Sequence, residues 1–99
     1  MKQLGGSQRK YLRSQAHHLK PLVIIGRNGI TEQVIGAIDL VLRDHELIKI
    51  KFSELKEDKK EIAAEIAQAT ISETVGIIGN IAIFYRQQPD LEKRKIIIP

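Results

Sequence analysis

Residues 31–45 carry the strongest pattern in the chain. Val34, Ile35, Ile38, Val41 and Leu42 recur at i, i+1, i+4, i+7 and i+8, which gathers them on one side of an α-helix. On either side lies a run that reads as a strand. PLVIIG at 21–26 is apolar without interruption, as in a central strand covered on one face or on both. HELIKIKF at 45–52 alternates, with Ile48, Ile50 and Phe52 on one face and Lys49 and Lys51 on the other, so it predicts a half-exposed strand whose solvent face is basic. A strand, a helix and a strand in this order point to a right-handed crossover and some parallel pairing.

The flanking segments extend the unit. Ser7 is a candidate cap for a helix reaching about His17, with Leu12 and Ala16 on one side, and Pro21 ends whatever helix precedes it. EDKKEIAAEIAQAT predicts a third helix that buries Ile62 and Ile66 beneath a charged face. TVGIIGNIAIFYR then reads as a hairpin about a Gly79-Asn80 turn. Ile96, Ile97 and Ile98 are left to add an edge strand or to pack as an anchored terminus. The expected fold class is α/β, one two-layer domain over residues 1–99 in the order α-β-α-β-α-β-β, with a mixed sheet and helices on one or both faces.

Composition narrows the chemistry. With two Phe, two Tyr and no Trp among 99 residues, the core must be aliphatic, and the absence of cysteine removes disulfides, thiolate metal sites and a cysteine nucleophile. The start of the sequence lacks the apolar run of a secretory signal, and no stretch approaches the roughly 20 apolar residues of a membrane span. A cytoplasmic location without a membrane partner is the expectation. Charge is unevenly spread: residues 1–31 hold six Lys and Arg and no acid, while residues 32–99 hold ten basic and twelve acidic residues. A one-signed region on an otherwise balanced chain is the footprint of a polyanion partner, either nucleic acid or an anionic membrane surface. On a helical wheel Arg9, Arg13 and His17 line up at i, i+4 and i+8 beside Lys10, with no acid on that helix to offset them.

The stretch GRNG at 26–29 sits where the first strand feeds the second helix, and Thr31 follows as a candidate N-cap. Glycine and asparagine there can serve a turn that needs positive φ. The spacing lacks the lysine of a Walker loop and the third glycine of a dinucleotide fold. The remaining reading is a clamp on a nucleic-acid backbone. Small residues admit phosphates close to the chain, a helix start offers amide donors and a positive dipole, and Arg27 adds a full charge. KH domains use a G-x-x-G loop in this way. Other candidates are weaker. Asp44-His45-Glu46 falls where the helix ends, His45 there suits the helix C-terminus, and nothing nearby completes a catalytic or metal set. His17 and His18 point about 100° apart on a helix and do not chelate together.

LKPLVIIGRNGIT, followed by HELIKIKF and then IIGNIAIFYR, resembles the CRM domain family, and within it the stand-alone bacterial YhbY-type members. The similarity runs from Ser7 to the KRKIIIP tail. The resemblance implies an RNA-binding module similar in fold to the C-terminal domain of translation initiation factor three. It also implies action on ribosomal RNA in precursors of the large ribosomal subunit. The family's loop falls on Gly26, Arg27, Asn28 and Gly29, and its tyrosine-arginine pair on Tyr85 and Arg86. In plant members glycine commonly follows that pair, whereas Gln87 follows here. The expected contact set is Gly26, Arg27, Asn28, Gly29 and Thr31, joined by Arg9, Lys10, Arg13, Lys20 and Arg86. Tyr85 reads as a core residue with a wet hydroxyl or as a platform for a base, and Lys49 and Lys51 as a solvated face or as phosphate contacts. No catalytic residue, cofactor, metal or small-molecule substrate is expected. The rival reading is an adaptor that docks on a ribosomal protein through a sheet edge or the C-terminal segment KIIIP.

Overall fold

The structure is a computed structural model and describes residues 4–54 and 58–98. Lys2, counted in the basic first third, and Lys56 and Glu57, ahead of the third helix, lie outside that range. The elements follow the expected order: α1 (Gly6–Ala16), β1 (Val23–Ile25), α2 (Glu32–His45), β2 (Leu47–Phe52), α3 (Lys59–Thr70), β3 (Glu73–Ile78) and β4 (Ile81–Tyr85). A short 3-10 turn at Leu91–Lys93 follows. The four strands form one mixed sheet in the order β1-β2-β4-β3. β1 runs parallel to β2, pairing Val23 with Ile50 and Ile25 with Phe52. β4 lies antiparallel between β2 and β3.

Local chemistry explains most element boundaries. Thr31 caps α2, its hydroxyl accepting the Val34 amide at 3.1 Å, and this satisfies one of the orphan donors of a helix start. Thr31→Ala is expected to cost about 1 kcal/mol, read as a lower urea midpoint at unchanged slope; an unchanged midpoint would deny the cap any energetic weight. The expected cap of α1 moves. Gly5, not Ser7, is the N-cap, and its amide donates to Gln8 Oε1 at 3.0 Å, half of a capping box. The hairpin turns at Gly79, whose φ of +57° is left-handed, and Phe52 N–H donates across to Asn80 O at 2.8 Å.

The alternation in β2 sorts the core into two clusters. Ile48, Ile50 and Phe52 face α2 and α3, where Ile25, Ile38, Leu42, Ile62, Ile66 and Phe84 join them. On the opposite face Leu47, Ile83, Val75 and Tyr85 pack beneath Leu12 and Ala16 of α1. Helices thus occupy both faces, the fuller of the two dispositions the pattern allowed. The sheet becomes the middle of three layers where α1 covers it, because α1 brings its own short apolar stripe.

One expectation for β1 is overturned. It is an edge strand, paired only to β2, and covered on one face. Ile25 is buried, while Ile24 between its neighbours is 63% exposed. A run of four apolar residues cannot by itself distinguish a strand covered twice from one covered once. The answer depends on where α1 lies, and α1 packs on β2, β3 and β4. The C-terminal isoleucines do not add a strand: Ile96 and Ile98 pack against the α1 cluster as an anchored terminus.

Candidate nucleic-acid interface

The loop after β1 is built as a tight turn. Ile25 O accepts the Ser53 amide at 2.9 Å, which closes the strand, and Gly29 N–H then donates to Gly26 O at 3.1 Å. Gly29 has φ +67° and needs glycine for its conformation. Gly26 has ordinary φ, and a Cβ there would meet only Ser53 Oγ at 4.0 Å. The fold therefore places no steric demand for glycine at position 26, whereas a partner approaching the backbone would. Asn28 is exposed and the Arg27 side chain is 88% exposed.

Two carboxylates make this loop less one-signed than the sequence count implies. Arg27 Nε lies 3.6 Å from Glu54 Oε1, and Glu32 stands in the first turn of α2. An exposed pair of this kind is worth about 0–1 kcal/mol, so a phosphate can displace it. The amides of Glu32 and Gln33, ahead of the capped Val34, remain the donors that a helix start turns outward.

α1 crosses the other face diagonally, from Glu73 at the start of β3 to Lys49 in mid-β2. Arg9 does acquire an acid partner, with NH2 3.6 Å from Glu73 Oε2; the helix lacks an acid, but β3 supplies one. Arg13 lies along β3, its Cδ 3.1 Å from where a Cβ on Gly76 would stand and its NH1 donating to Val75 O at 3.4 Å. Lys10, His17 and Lys20 are exposed. Lys49 Nζ donates to His17 O at 3.5 Å, and Lys51 is exposed on the same sheet face two residues further on. The α1 cations thus lie over β2 and β3, while the loop stands at the end of the edge strand β1.

Arg86 stands elsewhere. It follows Tyr85, which pairs with Leu47 at one end of β2, while the loop follows Ile25, which pairs with Phe52 at the other. The two are roughly 20 Å apart along the strands. The Arg86 guanidinium also turns to the α2/α3 side, where NH1 bonds Asp39 Oδ1 and Thr70 O and NH2 reaches Asp39 O at 3.0 Å. It clamps two helices together.

Tyr85 is buried in the α1 cluster and presents no face for stacking. Its burial, and after that the Glu46 carboxylate, raise the phenol above its ordinary value of 10.0, against the opposing influence of Arg94 and Gln87. The fold favours the neutral phenol, so this stabilisation is complete below the unfolded value and is lost as pH rises through the higher folded one. Denaturation midpoints should fall above about pH 10, and Tyr85→Phe should remove part of that fall. An identical alkaline decline in the variant would assign it to other groups.

Sequence reasoning missed Glu46. It is the C-cap of α2, 1% exposed, with φ +62°, and its carboxylate accepts backbone amides from Gln88 (2.9 Å), Lys95 and Ile96 (3.1 Å). Its own carbonyl takes the Arg86 amide at 2.8 Å. The available signal was an acid set directly against the apolar start of β2. Among the described residues no three His, Cys, Asp or Glu side chains gather as a metal site, and no helix is long and apolar enough to cross a membrane.

The model of the CRS1/YhbY (CRM) domain matches residues 4–86. The chain belongs to the CRM domain family. An "RNA-binding protein" of Haemophilus influenzae is 39% identical over 100 residues, covering 100% of this chain and 98% of its own length. The "Probable RNA-binding protein YqeI" of Bacillus subtilis is 34% identical over 97 residues, covering 97% and 99%. The solution structure of a Staphylococcus aureus protein matches at a TM-score of 0.85 and 40% identity, over 98% of this chain and 100% of that one. The CRM match takes in the GRNG loop, α1 and the Tyr85-Arg86 pair and ends at Arg86, so the tail held by Glu46 lies beyond it.

Proposed function

We propose that this CRM protein binds RNA without catalysing a reaction on it, gripping the phosphate backbone with the Gly26–Gly29 loop and the cations of the α1 face. Its target in this reading is ribosomal RNA in precursors of the large subunit, and its place of action the cytoplasm. The observation that carries the reading is the exposed glycine loop at a helix start on a chain whose first third is basic. The loop stands open at the end of β1 with Arg27 exposed, Lys10, Lys20 and Lys51 are exposed, and the alternation of β2 turns Lys49 and Lys51 to the face that α1 packs on. The names of the relatives from Haemophilus and Bacillus support RNA as the partner. The ribosomal target comes from the family resemblance.

Contacts of this type position a backbone and carry little sequence information. Affinity for RNA should therefore fall steeply with salt, log K dropping by about 0.7 per phosphate contact for each decade of salt on single strands. Filter binding of ribosomal RNA fragments over a salt series measures this. A flat response, or retention of a protein partner after ribonuclease treatment, would favour the adaptor reading instead. At the terminus Ile96 and Ile98 are packed and the backbone of Lys95 and Ile96 is held by Glu46, which leaves Ile97, 84% exposed, as the side chain of that segment open to such a partner.

A further inference from the structure

The register of the sheet lines up Ile24 of β1, Lys51 of β2, Ile81 of β4 and Ile78 of β3 in one row across all four strands. The alternation in each strand sends these side chains to the α1 face. α1 stops one row short of them: Arg13 reaches only the neighbouring row, at Gly76. Ile24 and Ile78 are each 63% exposed, Lys51 is exposed and Ile81 is half-buried. The row spans three inter-strand spacings, roughly 14 Å. Apolar side chains at both ends of a solvated sheet row have no role in the core of this chain.

We propose that this row seats unpaired nucleobases of single-stranded RNA, with the aliphatic side chains packing on base faces and Lys51 and Lys49 meeting the flanking phosphates. The inference rests on the RNA-binding reading above and adds to it the class of RNA. Charge argues for a polyanion as the occupant. Among the described strand residues turned to this face the only acid is Glu73, at the far end and beside Arg9, and Glu54 beyond the end of β2 is paired with Arg27, whereas Lys49, Lys51 and Arg13 border the row. Continuity argues the same way: Ile24 is two residues before Gly26, so a strand whose backbone is gripped at the loop passes directly onto the row. A duplex keeps its base faces stacked inside and has nothing to offer isoleucine.

The test compares the full chain with Ile24→Thr/Ile78→Thr, which keeps β-branched residues at two exposed strand positions. Binding is measured by fluorescence anisotropy on an unstructured RNA oligonucleotide and on an RNA duplex of equal length, with circular dichroism to check folding. The double variant should lose about tenfold in affinity for the single strand, with an unchanged salt slope and an unchanged affinity for the duplex. Ile24→Phe/Ile78→Phe should instead tighten single-strand binding, since aromatic rings stack better on bases, and it gives a reading even if the threonine variant misfolds. If the wild type binds RNA and neither variant alters the single-strand preference, the row is not a base seat and the backbone-grip reading survives. If the wild type binds neither RNA, the RNA reading itself falls. A wild type that sediments as a dimer, with a monomeric threonine variant, would make the row a self-association surface and overturn the proposal.

Discussion

Arg27→Glu combined with Lys10→Glu should reduce RNA affinity at least about a hundredfold near 0.1 M salt, with the fold intact. Both side chains are exposed, and the substitutions break the 3.6 Å ion pair of Arg27 with Glu54, worth about 0–1 kcal/mol. Reversal goes beyond neutralisation, because on the proposed surface each new carboxylate repels phosphate and Glu54 and Glu32 are then left unopposed beside the loop. The choice of residues matters. Arg9→Glu would set two carboxylates against each other at Glu73, and Arg86→Glu would break the clamp between α2 and α3, so either would confuse weakened binding with weakened folding. Electrophoretic mobility shifts with a thermal melt on the same sample decide the matter. RNA retained at wild-type affinity by a folded double variant would refute the proposed surface.

Glu46→Gln should destabilise the protein by about 3 kcal/mol, a large share of the roughly 5–15 kcal/mol typical of a whole domain. The carboxylate offers only acceptors to three backbone amides, those of Gln88, Lys95 and Ile96. An amide in its place turns one oxygen into a donor that faces donors, and a buried donor without a partner costs about 1–3 kcal/mol. The strained backbone at φ +62° persists only while those bonds over-determine it. Glu46→Gly relieves the strain but removes the acceptors, so it should fall between wild type and Glu46→Ala. Urea denaturation gives the energies, and hydrogen exchange at residues 88–96 shows whether the tail is released. Wild-type stability and protection in Glu46→Gln would mean that the tail is held by the packing of Ile96 and Ile98 alone.

The two variants probe different parts of one design. Arg27 and Lys10 are exposed, and the one ion pair between them and the rest of the described residues is weak, so they are replaceable without unfolding. Glu46 and Arg86 hold the tail and the helices, at the end of the sheet away from the loop. That division explains why Arg86, although part of the family's tyrosine-arginine pair, contributes architecture in this chain through Asp39 and Thr70.

What the sequence determined by itself was local. The period of α2, the alternation of β2, the Thr31 cap and the Gly79-Asn80 turn each depend on residues a few positions apart, and each formed as read. The position of the GRNG loop between a strand and a helix start was equally legible, for the same reason. Which faces meet was decided only by the tertiary structure. A period assigns side chains to a face, but it does not say whether another element covers that face, and so the reading of β1 left open whether both faces were covered, and Ile24 is open. The partners of charged groups were hidden likewise: Arg86 reaches Asp39 across 47 residues, and Glu46 reaches the Gln88 amide across 42. Such pairings follow from the register of β4 between β2 and β3, which nothing within a short window of sequence encodes.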